Sequence, residues 1–495
     1  MPAEYEGLLE QQNLQDVNLN SSTWKSKAAR PARWSLDLVR PEFLSVRPLS
    51  PKKRLRPTAW LDGLRGFAAF LVYIHHNQLW SHGIHGNDVF ENAFGYQGRR
   101  HFAALPFVRH FFSGGHFAVA TFFVISGYVL SLKSLSLIQK GQQMNAADSV
   151  GSALFRRWLR LYIPVIAVSL ICMTLRHWPG IYVAYGEKKA TFREDLWVYY
   201  TTFKNYSFVF LTGEIYVFPL MFHPHSWSIP VEFKGSIIVY TALSALARCT
   251  RNARLWLEAG LVVYFLYIVD GWYGALFMSG MLLCDLELLA QNDELPRIFK
   301  YLEDFKELIF FHLFILSMYL GGVPSCDGKN YQQLLSKSPG WVWLSYLKPQ
   351  AVFDPKWFYL FWAAVFLVAS VPRLPWLKQF FETRLCQYFA RVSFALYLVH
   401  GPLIWLVGDR LYAAVGFHRE EHKANLPEWV DKFPLSHKGP MGLELAFWAP
   451  QLIILPLTLY AAEMVTKFFD EPSVRFASWL YNKALAPPAS PKPIA

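Results

Sequence analysis

The chain has 495 residues, of which 53% are hydrophobic, 17% aromatic and only 17% charged. Soluble domains carry roughly 25% charged residues, so this balance excludes a soluble, disordered or collagen-like protein and a disulfide scaffold. The net charge of +12 could suggest nucleic acid, but ten Lys/Arg gather between Lys25 and Arg56, against only Asp37 and Glu42. That position, just before the first apolar run, excludes a nucleic-acid partner and marks a polytopic membrane protein with a basic cytoplasmic tail.

Residues 1–57 read as that tail, disordered, with no secretory signal. Ten apolar segments follow, near 59–80, 114–132, 158–175, 228–247, 255–269, 272–290, 308–323, 357–371, 388–407 and 443–466. Each is expected to be a membrane helix, giving an all-α protein of about ten spans embedded in a lipid bilayer. Those at 255–269, 308–323 and 357–371 are short for that role. With the N-terminus inside, the inner loops hold the denser Lys/Arg, which places both termini in the cytoplasm. The long outer loops near 81–113, 176–227, 324–356 and 408–442 are expected to cap a site. The Pro-rich stretch 481–495 closes the chain as a tail, leaving 58–480 as one membrane domain. The five cysteines form no CxxC or Cys/His cluster, so no metal site is expected.

Ionisable residues inside spans are costly and therefore functional suspects. The first segment, WLDGLRGFAAFLVYIHHNQLW, holds Asp62, Arg65, His75 and His76. Arg65 and His76 stand eleven positions apart, a net rotation of about 20°, so they share one helix face about 16 Å apart. His75 is rotated about 80° from Arg65. Asp62 is placed to pair with Arg65, which could instead be only a packing ion pair. Glu232 and Lys234 enter the fourth segment from HPHSWSIPVEFKGS, where the carboxylate could orient an imidazole or pair an arginine, with the outer interface as the simpler location for both. His400 precedes Gly401-Pro402 in the ninth; a lone membrane histidine is more often a packing residue. Arg160 sits near an interface and can snorkel, as can Glu258, Asp285, Glu287, Glu444 and Glu463 near span ends.

In order along the chain, LDGLRGFAAFLVYIHH, FFVISGYVLS, RRWLRLYIP, HSWSIPVEFKGS, SFALYLVHGP and DEPSVRF resemble the motif set of the acyltransferase-3 family of integral-membrane O-acyltransferases, the fourth in its fungal form. The resemblance covers about residues 57–480 and implies acyl transfer, usually of acetyl, from cytoplasmic acyl-CoA to a hydroxyl-bearing acceptor. It implies His76 as the catalytic histidine, Arg65 as its partner and Glu232 as the acidic residue of the fourth motif. Arg156, Arg157 and Arg160 would be the basic motif. Acyl-CoA would be a co-substrate, with no permanently bound cofactor. Arg65, Arg156, Arg157 and Arg160 are then candidates to bind its phosphates, while Glu232 could orient the His76 imidazole. A secondary-metabolite hydroxyl is one acceptor and a cell-surface carbohydrate the alternative. A proton-coupled transporter using Asp62, Arg65 and His76, or a non-catalytic scaffold, are readings from other classes.

Overall fold

The computed structural model describes residues 55–83, 88–177, 182–184, 188–210, 223–325 and 331–485. The expected 1–57 tail therefore lies almost wholly outside the described residues, as does the Pro-rich end from 486. Residues 481–484 are not tail; they complete a helix that ends at Ala484. Among the described residues there is no strand.

The principal helices are α1 (Ala59–His82), a short α2 (Asp88–Glu91), α3 (Gly115–Gln139), α4 (Gln143–His177), α5 (Phe192–Tyr206) and α6 (Ser228–Leu246). They continue as α7 (Arg251–Val263), α8 (Trp272–Gln291), α9 (Lys306–Leu320), α10 (Pro355–Ser370) and α11 (Arg384–Leu403). The last two are α12 (Leu445–Val465) and α13 (Glu471–Ala484). Every one of the ten apolar segments is helical. Among the described residues, seven helices are long and apolar enough to cross a membrane: α3, α4, α6, α8, α10, α11 with its continuation, and α12 with α13. Of the three short segments, the one within α10 reaches spanning length, because Asp354 caps the helix and Pro355 extends its first turn. Helix α9 has 15 residues, and α7 has 13 before a π-helical turn at Tyr264–Ile268.

Helix α1 stands outside the seven for a different reason: it is long but polar. It compensates by burial, with sixteen of its 24 residues enclosed by protein. Its closest neighbour is α11. A Cβ on Gly66 would fall 2.2 Å from the Ala390 backbone nitrogen, so only glycine lets the two backbones meet. The α3–α8 pair uses the same device, since a Cβ on Gly127 would sit 2.0 Å from the Phe277 carbonyl oxygen. Along both pairs the contacts advance together, Arg65 with Ala390 and His76 with His400, then Phe123 with Trp272 and Gln139 with Asp285. Each pair is therefore parallel. Helices α4 and α6 run antiparallel, with Arg157 against Ser236 and Tyr162 against Phe233. Exposed apolar residues such as Trp256, Leu308, Ile315, Leu452 and Ile453 lie on the outer helices, the distribution a lipid-facing surface needs.

Candidate functional site

Helix α4 begins at Gln143, well before the predicted segment at 158, because the polar run QMNAADSVGSA joins the helix. The basic motif therefore lies in mid-helix, facing the bundle. Arg157 donates from Nε to Ser236 Oγ at 2.8 Å and from Nη2 to Glu232 Oε1, and both partners belong to α6. This changes two expectations. Glu232 does not stay at an outer interface, since Arg157 of the basic motif holds it at its own depth in the bundle. Glu232 is also engaged by Arg157, with no imidazole among its partners, so it does not hold the His76 ring.

A cavity of about 200 Å³ opens beside this pair. Its lining brings together Arg65, Lys133, Arg157, Arg160 and Arg391, with Glu232 and Asp470 as the two carboxylates. Apolar residues such as Phe122, Ile125, Val129 and Phe394 supply much of the remaining wall. Five basic groups in a largely apolar, low-dielectric enclosure make a strong attractor for a polyanion. Arg65 reaches it from α1, donating through Nη2 to the Ala390 carbonyl at 3.3 Å and lying 3.5 Å from Asp62 Oδ1. Asp62 also pairs with Arg56 at 3.3 Å, while Arg65 Nε is buried and lacks a hydrogen-bond partner. Arg156 does not line the cavity; it turns to the Ser152 carbonyl at 3.1 Å and the Ser478 hydroxyl at 3.5 Å.

His76 lies beyond the cavity rather than in its wall. The boundary is formed by Ser228 and Tyr397, whose hydroxyls are hydrogen-bonded at 2.7 Å, and Tyr397 donates to the His225 carbonyl. Behind them three imidazoles come together. The His76 and His225 ring centroids are 4.0 Å apart, those of His76 and His400 4.9 Å, and those of His225 and His400 5.1 Å. His76 Nδ1 faces the Val72 carbonyl at 3.0 Å and His400 Nε2 at 3.2 Å, and His400 Nδ1 faces the Leu396 carbonyl at 3.2 Å. Carbonyl oxygens only accept, so one tautomer assignment satisfies the set. His400 carries its proton on Nδ1 and His76 carries its own on Nδ1, leaving the His76 Nε2 lone pair as a base.

Three imidazoles invite a metal reading, but ring geometry opposes it here. His76 and His225 lie face over face at a 35° tilt. Their centroids, 4.0 Å apart, are closer than the about 5.2 Å that two imidazoles sharing one tetrahedral ion would hold. His75 turns toward His116 of α3, with ring centroids 5.5 Å apart, while its ring stays 5.2 Å from that of His76.

Of the residues singled out in the sequence, Arg65, Glu232, Arg157 and Arg160 share one cavity, and His76 stands behind its wall. His400, read as a packing histidine, joins His76. His225 and Tyr397 were not singled out at all. His225 lies in the HPHSW run and Tyr397 three residues before His400, so both were inside recognised motifs. Nothing local tells which way either side chain points.

Known proteins resemble this chain over most of its length. The family described as an acyltransferase domain, acyltransferase-3, matches residues 58–462. The O-acetyltransferase PaAT-1 of Phomopsis amygdali is 30% identical over 485 residues, covering 91% of this chain and 89% of its own length. Acyltransferase clz18 of Cochliobolus lunatus is 22% identical, covering 88% of this chain and 98% of its own. Acyltransferase R4 of a Phoma species is 21% identical over 76% of this chain and 83% of its own. No solved structure matches.

Proposed function

Because the chain belongs to the acyltransferase-3 family, matched over residues 58–462, we propose that it moves an acyl group, acetyl foremost, from acyl-CoA to a small-molecule hydroxyl. The observation that carries this reading is the division of the site. A basic cavity lies on one side of the Ser228–Tyr397 pair, and an imidazole with an available Nε2 lies on the other. The cavity suits the donor's phosphates, with Arg65 and Arg157 offering planar forks and Arg160 and Lys133 adding charge. The histidine side suits the acceptor.

In this mechanism His76 Nε2 takes the proton from the acceptor hydroxyl as its oxygen attacks the thioester carbonyl. The tetrahedral intermediate then expels the CoA thiolate, which recovers that proton from the imidazolium. His400 Nε2 accepts from His76 Nδ1 and keeps the ring in the useful tautomer, the task first considered for Glu232. Glu232 instead holds Arg157 toward the donor. A proton-coupled transporter remains the competing class, and it makes the opposite prediction about donor consumption.

The same reading carries the ten-span topology with both termini in the cytoplasm. In that order α1 and α11 are the first and ninth spans and α3 and α8 the second and sixth. Their parallel pairing is what such an order demands.

The decisive assay uses membranes containing the full chain, labelled acetyl-CoA and a panel of hydroxyl acceptors. His76→Ala should lower the transfer rate by about 10²–10⁴-fold, and Arg65→Ala should raise the KM for acetyl-CoA. Full activity in His76→Ala with loss in His75→Ala would overturn the assignment. Substrate flux without acetyl-CoA consumption would favour the transporter. Profiling of metabolites and glycans in a deletion strain then separates a secondary-metabolite ester from a cell-surface one.

A further inference from the structure

A second cluster of donors lies one residue along α1 and faces the other way. His75 of α1, Glu91 of α2 and His116 of α3 place their ligand atoms within 4.8 Å of one another. His75 is 3% exposed and Glu91 5%. The Nδ1 atoms of both His75 and His116 are buried and have no hydrogen-bond partner. A buried imidazole nitrogen left without a partner costs about 1–3 kcal/mol, and two side by side in a well-packed site call for a ligand.

Ring geometry here is the reverse of the His76 group. The His75 and His116 rings meet edge to face, with centroids 5.5 Å apart and planes at 70°. Two imidazoles bound to one tetrahedral ion through nitrogens at about 2.0–2.1 Å would hold their centroids about 5.2 Å apart. Glu91 adds an anionic oxygen. Its position is fixed by Arg109, which donates to the Phe90, Glu91 and Asn92 carbonyls at 3.1 to 3.2 Å and so pins α2 beside α3. Lys356 is the other cation acting on these imidazoles, and Asp354 neutralises it at 3.2 Å. The backbone also makes room, since a Cβ on Gly115 would meet the His75 ring at 2.7 Å.

We propose that His75, Glu91 and His116 form a binding site for a divalent transition metal of the zinc class. Two imidazoles and one carboxylate suit zinc, and three protein ligands leave a fourth position for water. The ion would cross-link α1, α2 and α3 and fix the stretch of α1 that carries His76. This assignment does not depend on acyl transfer, because metal content is read whether or not His76 acts as a base.

The test uses the full-length protein in detergent, loaded with Zn2+ and then dialysed, with metal measured by elemental analysis. The wild type should keep about one equivalent per chain, as a three-ligand zinc site does. Co2+ in its place should give the intense visible absorption of a four-coordinate ion. Both signals should be lost in Glu91→Gln and in His116→Ala and kept in His76→Ala. A folded wild type that retains no metal would overturn the proposal, leaving an ordinary imidazole–carboxylate network. So would metal that persists in both variants. If the variants do not fold, X-ray absorption at the zinc edge of the wild type decides. Two imidazoles with oxygen ligands support the site, and sulfur in the shell refutes it.

Discussion

His76 is useful because its two nitrogens have different surroundings. Nδ1 is occupied by the Val72 carbonyl and His400, which leaves Nε2 for chemistry. Removing the base in His76→Ala should lower the transfer rate by about 10²–10⁴-fold with the donor KM little changed. His400→Ala removes one hydrogen bond of about 1 kcal/mol, so kcat should fall about fivefold to tenfold, again with little effect on KM. His400→Gln should recover part of that loss if positioning is its task, as steady-state kinetics in membranes will show. Arg157 and Glu232 form one unit, so Arg157→Ala and Glu232→Gln should not add. The double variant should have nearly the donor KM of Arg157→Ala alone. The facing of Arg65 and His76 was legible in the sequence because it follows from helix geometry within α1. The partners of His76 were not, since His400 lies 324 residues away and its approach is set by tertiary packing.

At the scale of elements, two kinds of contact hold the bundle together. Where backbones touch, glycine is required. Gly127→Ala would force a methyl group against the Phe277 carbonyl oxygen, and overpacking of this kind costs about 1–3 kcal/mol. Thermal unfolding in detergent should show a lowered midpoint. Where charge is buried, partners are required. Arg254 of α7 donates to both oxygens of Asp285 in α8, at 2.7 and 2.9 Å, and the two side chains are only 4% and 0% exposed. Arg254→Ala removes the only cation bonded to that carboxylate among the described residues, leaving Gln139 as its donor at 2.7 Å, and should cost about 3–5 kcal/mol. The sequence placed Asp285 near a span end, where snorkelling would satisfy it; the structure instead pairs it inside the bundle. The ten apolar helices were legible, because apolar runs of this length have few alternatives, whereas α5 and α13 lay outside the predicted segments. Helix starts were less so. The first fifteen residues of α4 carry no apolar signal, and their helicity places Arg157 level with Glu232.

Across the whole molecule, the proposed ten-span order can be checked without any assay of activity. Epitope tags at the two ends of the chain should become accessible together, and only when the cytoplasmic face is opened, in protease-protection experiments on sealed vesicles. Accessibility of the two tags from opposite sides would require an odd number of spans. Parallel neighbours also separate two tasks in space. The α1–α11 pair carries both Arg65 with Ala390 and His76 with His400, so one pair of helices spans the distance from the basic cavity to the imidazoles. Motions that slide α11 along α1 would therefore disturb both ends of the site together.

The polarity and enclosure of α1 also bear on how the protein is made. Among the described helices this one leaves the ribosome first, yet it is less suited to lipid than the seven apolar ones. The neighbour that accepts its Arg65 and His76 is translated more than 300 residues later. At about 5–20 residues per second, that is a wait of tens of seconds. During this interval α1 must be sheltered by the insertion machinery or by a membrane chaperone. The oldest of the described helices is thus among the last to reach its native setting, and biogenesis is where changes to its polar residues should first be felt.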